Sequence, residues 1–173
     1  MKTLFTSSYA VLWCCLALSA HGDDIAPQSI AGLLRPAFDL PDTQGNAVSI
    51  SRWNGRIIVL NFWATWCAPC RKEIPLLNTL QQRYAKRGVQ IVGVAVDNAA
   101  AVKQFMQSVP INYPVLIGDQ AALEIIEAYG DRVGALPYTV FINRSGIIDS
   151  MASGALTEDY ARKYLERLLE NSK

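Results

Sequence analysis

An apolar run from Ile57 to Trp63 is followed, four residues later, by Cys67-Ala68-Pro69-Cys70. The run is rich in β-branched residues and reads as a buried strand. From Ala68 to Lys86, apolar positions recur at Cys70, Ile74, Leu77, Leu80 and Tyr84, which is helical spacing, and Gly88 is placed to stop the helix. The cysteine pair therefore sits where a strand hands over to a helix. A helix N-terminus carries unpaired N–H groups and about half a positive charge, and both favour a thiolate at Cys67. Lowering a thiol pKa from about 8.5 to about 7 takes roughly 2 kcal/mol of such stabilisation. The two-residue spacer puts Cys70 one helical turn on, able to close a small disulfide ring. In thiol–disulfide exchange Cys67 would attack and Cys70 would resolve. Pro69 stiffens the turn where no N–H is needed.

The rest of the chain supports one α/β domain. A second buried strand is expected at Val89–Val96, so strand, helix, strand implies a parallel pair joined by a crossover. Phe38–Leu40 and Ala47–Ile50 flank a Gly-containing turn and read as a hairpin. Val102, Phe105, Met106 and Val109 mark another amphipathic helix. A short strand at Val115–Ile117 and a helix at Ala121–Tyr129 follow. Tyr138–Asn143 and Ile147–Ser153 suit an antiparallel hairpin, and Thr157 can cap a last helix with its apolar stripe on Tyr160, Tyr164, Leu165, Leu168 and Leu169. Sixteen Lys+Arg against fifteen Asp+Glu leave a net charge of +1, which offers no footprint for nucleic acid or an anionic membrane in the overall balance. With one His and four Cys, chemistry is sought first at the cysteines.

Residues 1–22 read as an export signal. Lys2 precedes an apolar run from Tyr9 to Leu18, and Ser19, Ala20 and Gly22 are small residues at the exit. The run is shorter than the roughly 20 residues of a comfortable membrane span, and an uncleaved anchor is the alternative. Either way the domain is exported with Lys2 retained inside. Membrane contact is expected only through residues 1–22, if uncleaved. Cys14 and Cys15 fill this apolar segment as small hydrophobes, in preference to lipid attachment or a second redox pair. His21 lies at the processing site as a bystander. Residues 23–36, with Pro27, Gly32 and Pro36, read as a linker or a loosely packed arm, and 37–171 as the domain.

The Cys67/Cys70 pair has two competing readings. One is half a zinc site, but the chain has no second such pair and no pair of histidines. The other is a structural disulfide, although a two-residue loop stabilises little through chain entropy. The segment Asn61-Phe62-Trp63-Ala64-Thr65-Trp66-Cys67-Ala68-Pro69-Cys70-Arg71-Lys72-Glu73 resembles the active-site segment of the thioredoxin superfamily. It looks most like the exported TlpA/ResA-type thiol–disulfide oxidoreductases. The resemblance spans roughly residues 36–170 and includes Gly134-Ala135-Leu136-Pro137-Tyr138-Thr139. It implies a thioredoxin-like α/β fold: a central mixed sheet flanked by helices, with an N-terminal β-hairpin and a helical insertion.

The resemblance also implies that Pro137 is cis and lies opposite the cysteines. Independently, a proline opening a strand interrupts the ladder, and the backbone beside Leu136 can then pair with an extended substrate. Glu73 follows Cys70 by three residues on the same helical face. The family implies that a Glu there tunes thiol ionisation, and a carboxylate so placed can take the proton from Cys70 as it attacks. Thioredoxins carry an Asp six residues before the first Cys. Asn61 stands there and cannot act as a base, which shifts the weight to Glu73. Trp63 is expected to pack and Trp66 to face clients. The expected catalytic residues are Cys67, Cys70 and Glu73, and the expected substrate-binding residues are Trp66, Ala68, Pro69, Leu136 and Pro137. No metal and no cofactor beyond the disulfide is expected.

The resulting expectation is a periplasmic thiol–disulfide oxidoreductase that reduces protein disulfides. By resemblance its clients include apocytochrome c, and its electrons come from a membrane reductant of the DsbD/CcdA kind. Two alternatives stand beside it. A peroxiredoxin-type peroxidase would have Thr three residues before the reactive Cys, where this chain has Ala64. A copper chaperone of the Sco kind would use a His late in the domain, and no His follows His21.

Overall fold

Every residue of the expected first strand is buried, and period-2 alternation makes it the divider of two cores. In β3 (Ile57–Trp63), Ile57, Val59 and Trp63 face one way, while Ile58, Leu60 and Phe62 face the other. The first set packs against α1 (Ala68–Tyr84), α2 (Ala99–Ser108) and α4 (Glu158–Glu170). The second packs against α3 (Ala121–Ala128) and a two-stranded hairpin of β1 (Asp39–Pro41) and β2 (Ala47–Ser49). These elements come from a computed structural model, which describes residues 29–171. The expected export signal 1–22, with Cys14, Cys15 and His21, and linker residues 23–28 lie outside the described residues.

The central sheet has the order β5-β4-β3-β6-β7, adding β4 (Val89–Ala95), β5 (Val115–Ile117), β6 (Tyr138–Ile142) and β7 (Ile148–Ser153). β3 runs parallel to β4 across α1 and antiparallel to β6. This is the mixed, thioredoxin-like sheet that the sequence implied. Because β3 and β4 are covered on both faces, they are continuous apolar runs rather than alternating ones.

Several element ends shift by one residue from the sequence reading, and three differences have a clear physical cause. The first helix leaves α geometry at Tyr84 and tightens into a 3-10 turn at Ala85–Arg87, closed by Gly88 at φ 87°. A left-handed residue there suits only glycine without strain. Asn143 leaves the strand because its Oδ1 accepts the N–H groups of Ser145 and Ile147, an Asx turn that widens the β6–β7 connection. Residues 30–35 of the expected linker are hydrogen-bonded to that connection. Gly32 N–H donates to the Ile148 carbonyl, Arg35 N–H donates to the Gly146 carbonyl, and Leu34 pairs with Ile147.

β5 covers β4 only from Gly93 to Ala95, so the first half of β4 would present unpaired backbone. Side chains close that edge. Gln81 Oε1 accepts the Ile91 N–H at 2.8 Å, and Gln90 Nε2 donates to the Ile91 carbonyl at 2.9 Å. Arg56 then holds Gln90 Oε1 at 2.9 Å. An exposed strand edge is thereby denied to other chains.

The joint between β5 and α3 has no spare volume. A Cβ on Gly118 would lie 2.4 Å from Ala122 Cβ and 3.1 Å from Ala122 Cα. Gly118→Ala is expected to destabilise the domain by about 1–3 kcal/mol through overpacking. Urea denaturation checks this, with a lowered midpoint and an unchanged slope as the expected outcome.

Candidate active site

Cys67 is the N-cap of α1. Its backbone is extended (φ −80°, ψ 105°), and its Sγ accepts the Cys70 N–H at 3.3 Å. Ala68 and Pro69 form the first turn, with proline where no amide partner is required. Cys67 and Cys70 form a disulfide, with an S–S distance of 2.05 Å. Both are buried, but unequally: Cys67 keeps 5% of its surface accessible and Cys70 none. The first turn of α1 holds no acidic residue, and Arg71 and Lys72 are exposed beside it. The helix terminus and both cations therefore act in the same sense on charge at Cys67.

Trp66 is 69% exposed immediately before the disulfide, whereas Trp63 is buried against Phe105, as expected of a packing residue. Register places the Pro137 loop at the same end of the sheet. Tyr138 pairs with Phe62, so Pro137 lies beyond Phe62 on the side toward which β3 runs into Cys67. The Leu136–Pro137 bond is cis. Two contacts hold the loop. Asp131 Oδ1 accepts the N–H groups of Val133 and Gly134, and the Pro137 carbonyl accepts the Gly154 N–H.

Glu73 is a buried carboxylate, 3% exposed, on the inner face of α1. Its Oε1 accepts Asn61 Nδ2 at 2.6 Å, and its Oε2 accepts the Leu156 N–H at 2.8 Å. Asn61 Nδ2 also donates to Thr139 Oγ1 at 3.0 Å. Burial pushes the Glu73 carboxyl above its ordinary range, against the two hydrogen bonds, which favour the charged form. Among the described residues, no group of three or more His, Cys, Asp or Glu is placed to hold a metal ion.

Residues 32–151 match the model of the AhpC/TSA family. The thiol-disulfide oxidoreductase ResA of Bacillus subtilis is 34% identical over 163 residues, covering 92% of this chain and 89% of that protein. The ResA of Halalkalibacterium halodurans is 31% identical, covering 92% and 90%. Among solved structures, a thiol:disulfide interchange protein DsbE from Chlorobium tepidum superposes with a TM-score of 0.71 at 29% identity, covering 82% of this chain and 96% of that one. The chain belongs to the AhpC/TSA family. Within it, this is a ResA/TlpA-like protein of the thioredoxin superfamily and a thiol–disulfide oxidoreductase.

The structure places Cys67, Cys70, Glu73, Ala68 and Pro69 on the first two turns of α1, with Trp66 just before them and Leu136–Pro137 at the same end of the sheet. Sequence reasoning set Asn61 aside as unable to act as a base. It missed that the Asn61 amide holds Glu73. One signal was present: Asn61 is the lone polar residue in a buried run of seven. No local signal marks Thr139 or the Leu156 amide, which arrive from 78 and 83 residues away along the chain. Thr65 was also overlooked. Its backbone N–H and its hydroxyl both donate to Asp97, fastening the turn before Cys67 to the end of β4.

Burial raises the Glu73 carboxyl in the folded state, so ionisation opposes folding. Its favourable contribution is complete below the ordinary value of 4.5 and is lost as pH rises through the higher folded value. The stability of wild type relative to Glu73→Gln is therefore expected to fall as pH rises from 4.5 toward neutrality. Urea midpoints measured across that range test this, and parallel curves would refute it.

Proposed function

We propose that this oxidoreductase is exported to the periplasm, where it reduces protein disulfides through the Cys67–Cys70 couple. The observation that carries the reading is the capping sulfur: Cys67 sits on a helix N-terminus, accepts an amide hydrogen bond, and is the more accessible of the pair. In the reduced protein the Cys67 thiolate attacks one sulfur of a client disulfide and expels the other as a thiolate, which takes a proton from water. Cys70 then loses its proton to Glu73 and attacks the Cys67 sulfur. The mixed disulfide breaks, the second client sulfur leaves, and the protein is left oxidised. Two electrons pass from the protein dithiol to the client.

Glu73 suits the proton step because its burial raises its affinity for a proton, while Asn61 and the Leu156 amide keep it oriented. Trp66, Ala68, Pro69 and the backbone beside Leu136 and Pro137 form the client-facing surface, which takes an extended segment by strand-like pairing. Apocytochrome c cysteines are the proposed client class, and a membrane thiol reductant of the DsbD/CcdA type would restore the dithiol. The export signal read at residues 1–22 supports the compartment.

Cys67→Ser is expected to abolish reduction of a protein disulfide, whereas Cys70→Ser accumulates a covalent mixed disulfide with the client, visible on a non-reducing gel. Alkylation of reduced Cys67 across pH should titrate below the ordinary thiol value of about 8.5. Glu73→Gln should slow resolution by about 100-fold or more while leaving the Cys67 alkylation rate near wild type. Direction is tested by the reduction potential: a value near that of thioredoxin, about −270 mV, fits a reductase, and one near −120 mV reverses the reading.

A further inference from the structure

β3 begins and β6 ends at the pole of the sheet opposite the disulfide. That pole gathers Arg35, Arg52, Arg56, Lys86 and Arg144 from the N-terminal arm, the turn before β3, the α1–β4 connection and the β6–β7 turn. None of the five is in an ion pair among the described residues. Three are nonetheless held in place by neutral acceptors. Arg35 donates to Asn54 Oδ1 at 2.7 Å, Arg56 to Gln90 Oε1 at 2.9 Å, and Arg144 to the Gly55 and Arg87 carbonyls at 3.1 and 2.8 Å. Their positive charge is fixed in position by neutral partners, while Asp42 lines the adjoining pocket with Arg52 and Arg56 without forming an ion pair among the described residues. The nearby carboxylates Glu166 and Asp149 are engaged by Arg87 and Arg167.

Arg35, Arg56 and Arg144 share one cleft of about 420 Å³ with Leu34. Leu33 and Leu34 are 58% and 69% exposed. Of the other exposed large apolar residues, Trp66 and Val133 belong to the disulfide end and Leu123 lies on α3. Two projecting leucines beside preorganised cations combine the two attractions of an interfacial site: apolar insertion, and Coulomb attraction to acidic headgroups. An acidic protein would satisfy the arginines but leave the leucines without a seat.

We propose that this pole docks on an anionic phospholipid bilayer. Leu33 and Leu34 enter the headgroup region, the arginine cleft receives a lipid phosphate, and the disulfide faces away from the membrane. The docking is independent of the thiol chemistry.

Hydrogen exchange of the full-length protein, read by mass spectrometry on phosphatidylcholine vesicles with and without phosphatidylglycerol, tests it. Residues 32–35, 52–56 and 143–147 are expected to gain protection only on the anionic vesicles, and to lose it at raised salt and in Arg35→Glu/Arg52→Glu. Leu33→Asn/Leu34→Asn is expected to lose the same protection while reducing a protein disulfide at the wild-type rate. Equal exchange on both vesicles overturns the proposal, as does protection confined to residues 65–70 and 133–138. Equal protection by inorganic phosphate alone would reassign the cleft to a free anion, and equal protection by polyglutamate would reassign the face to an acidic protein; either result overturns bilayer docking.

Discussion

The sulfur of Cys67 accepts an amide hydrogen bond at the start of a helix, and the chemistry proposed for the domain rests on that contact. A helix N-terminus is a site of fixed positive potential because its first amides have no partners within the helix. A sulfur atom fills that position here, where Ser, Thr, Asp or Asn is the preferred cap. The potential works only if the helix start is held rigidly. That rigidity comes from β3, whose burial on both faces fixes where the chain turns, and from the Thr65–Asp97 contact across the turn.

The second constraint is the carboxylate beneath the helix. A buried Glu is costly unless its oxygens are satisfied, and Glu73 is satisfied by groups from β3 and from the loop before α4. This arrangement does two things at once. It stitches α1 to the sheet and to the loop before α4, while burial, against those two hydrogen bonds, holds the carboxyl above its ordinary range.

The two ends of the sheet carry different groups. Strand C-terminal ends and the Leu136–Pro137 loop gather the redox pair and its exposed aromatic at one end. The other end carries the turns and the N-terminal arm, with cations held by neutral acceptors. Because parallel strands require crossovers, β3 and β4 start at the same end, and the arginines of their entry turns cluster there as a consequence of topology.

Most of the fold was legible in the chain. The seven-residue run at 57–63, the helical spacing after Cys70 and glycines at turns such as Gly88 and Gly146 are local signals, and local periodicity reports burial directly. The cysteine pair and its place at a strand-to-helix junction follow from the same signals. Asn61 marks the limit. From the sequence it was only a carboxylate that was missing, whereas in the folded chain its amide bridges Glu73 and Thr139. Residues 30–35 show a related limit: they have no periodicity of their own, and their order comes from hydrogen bonds to a hairpin more than 100 residues later. Composition and spacing determined the strands, the helices and the place of the cysteine pair. Tertiary packing alone decided which distant groups meet the buried carboxylate and which cations share a pole, because those contacts depend on which faces and ends of the sheet the intervening chain brings together.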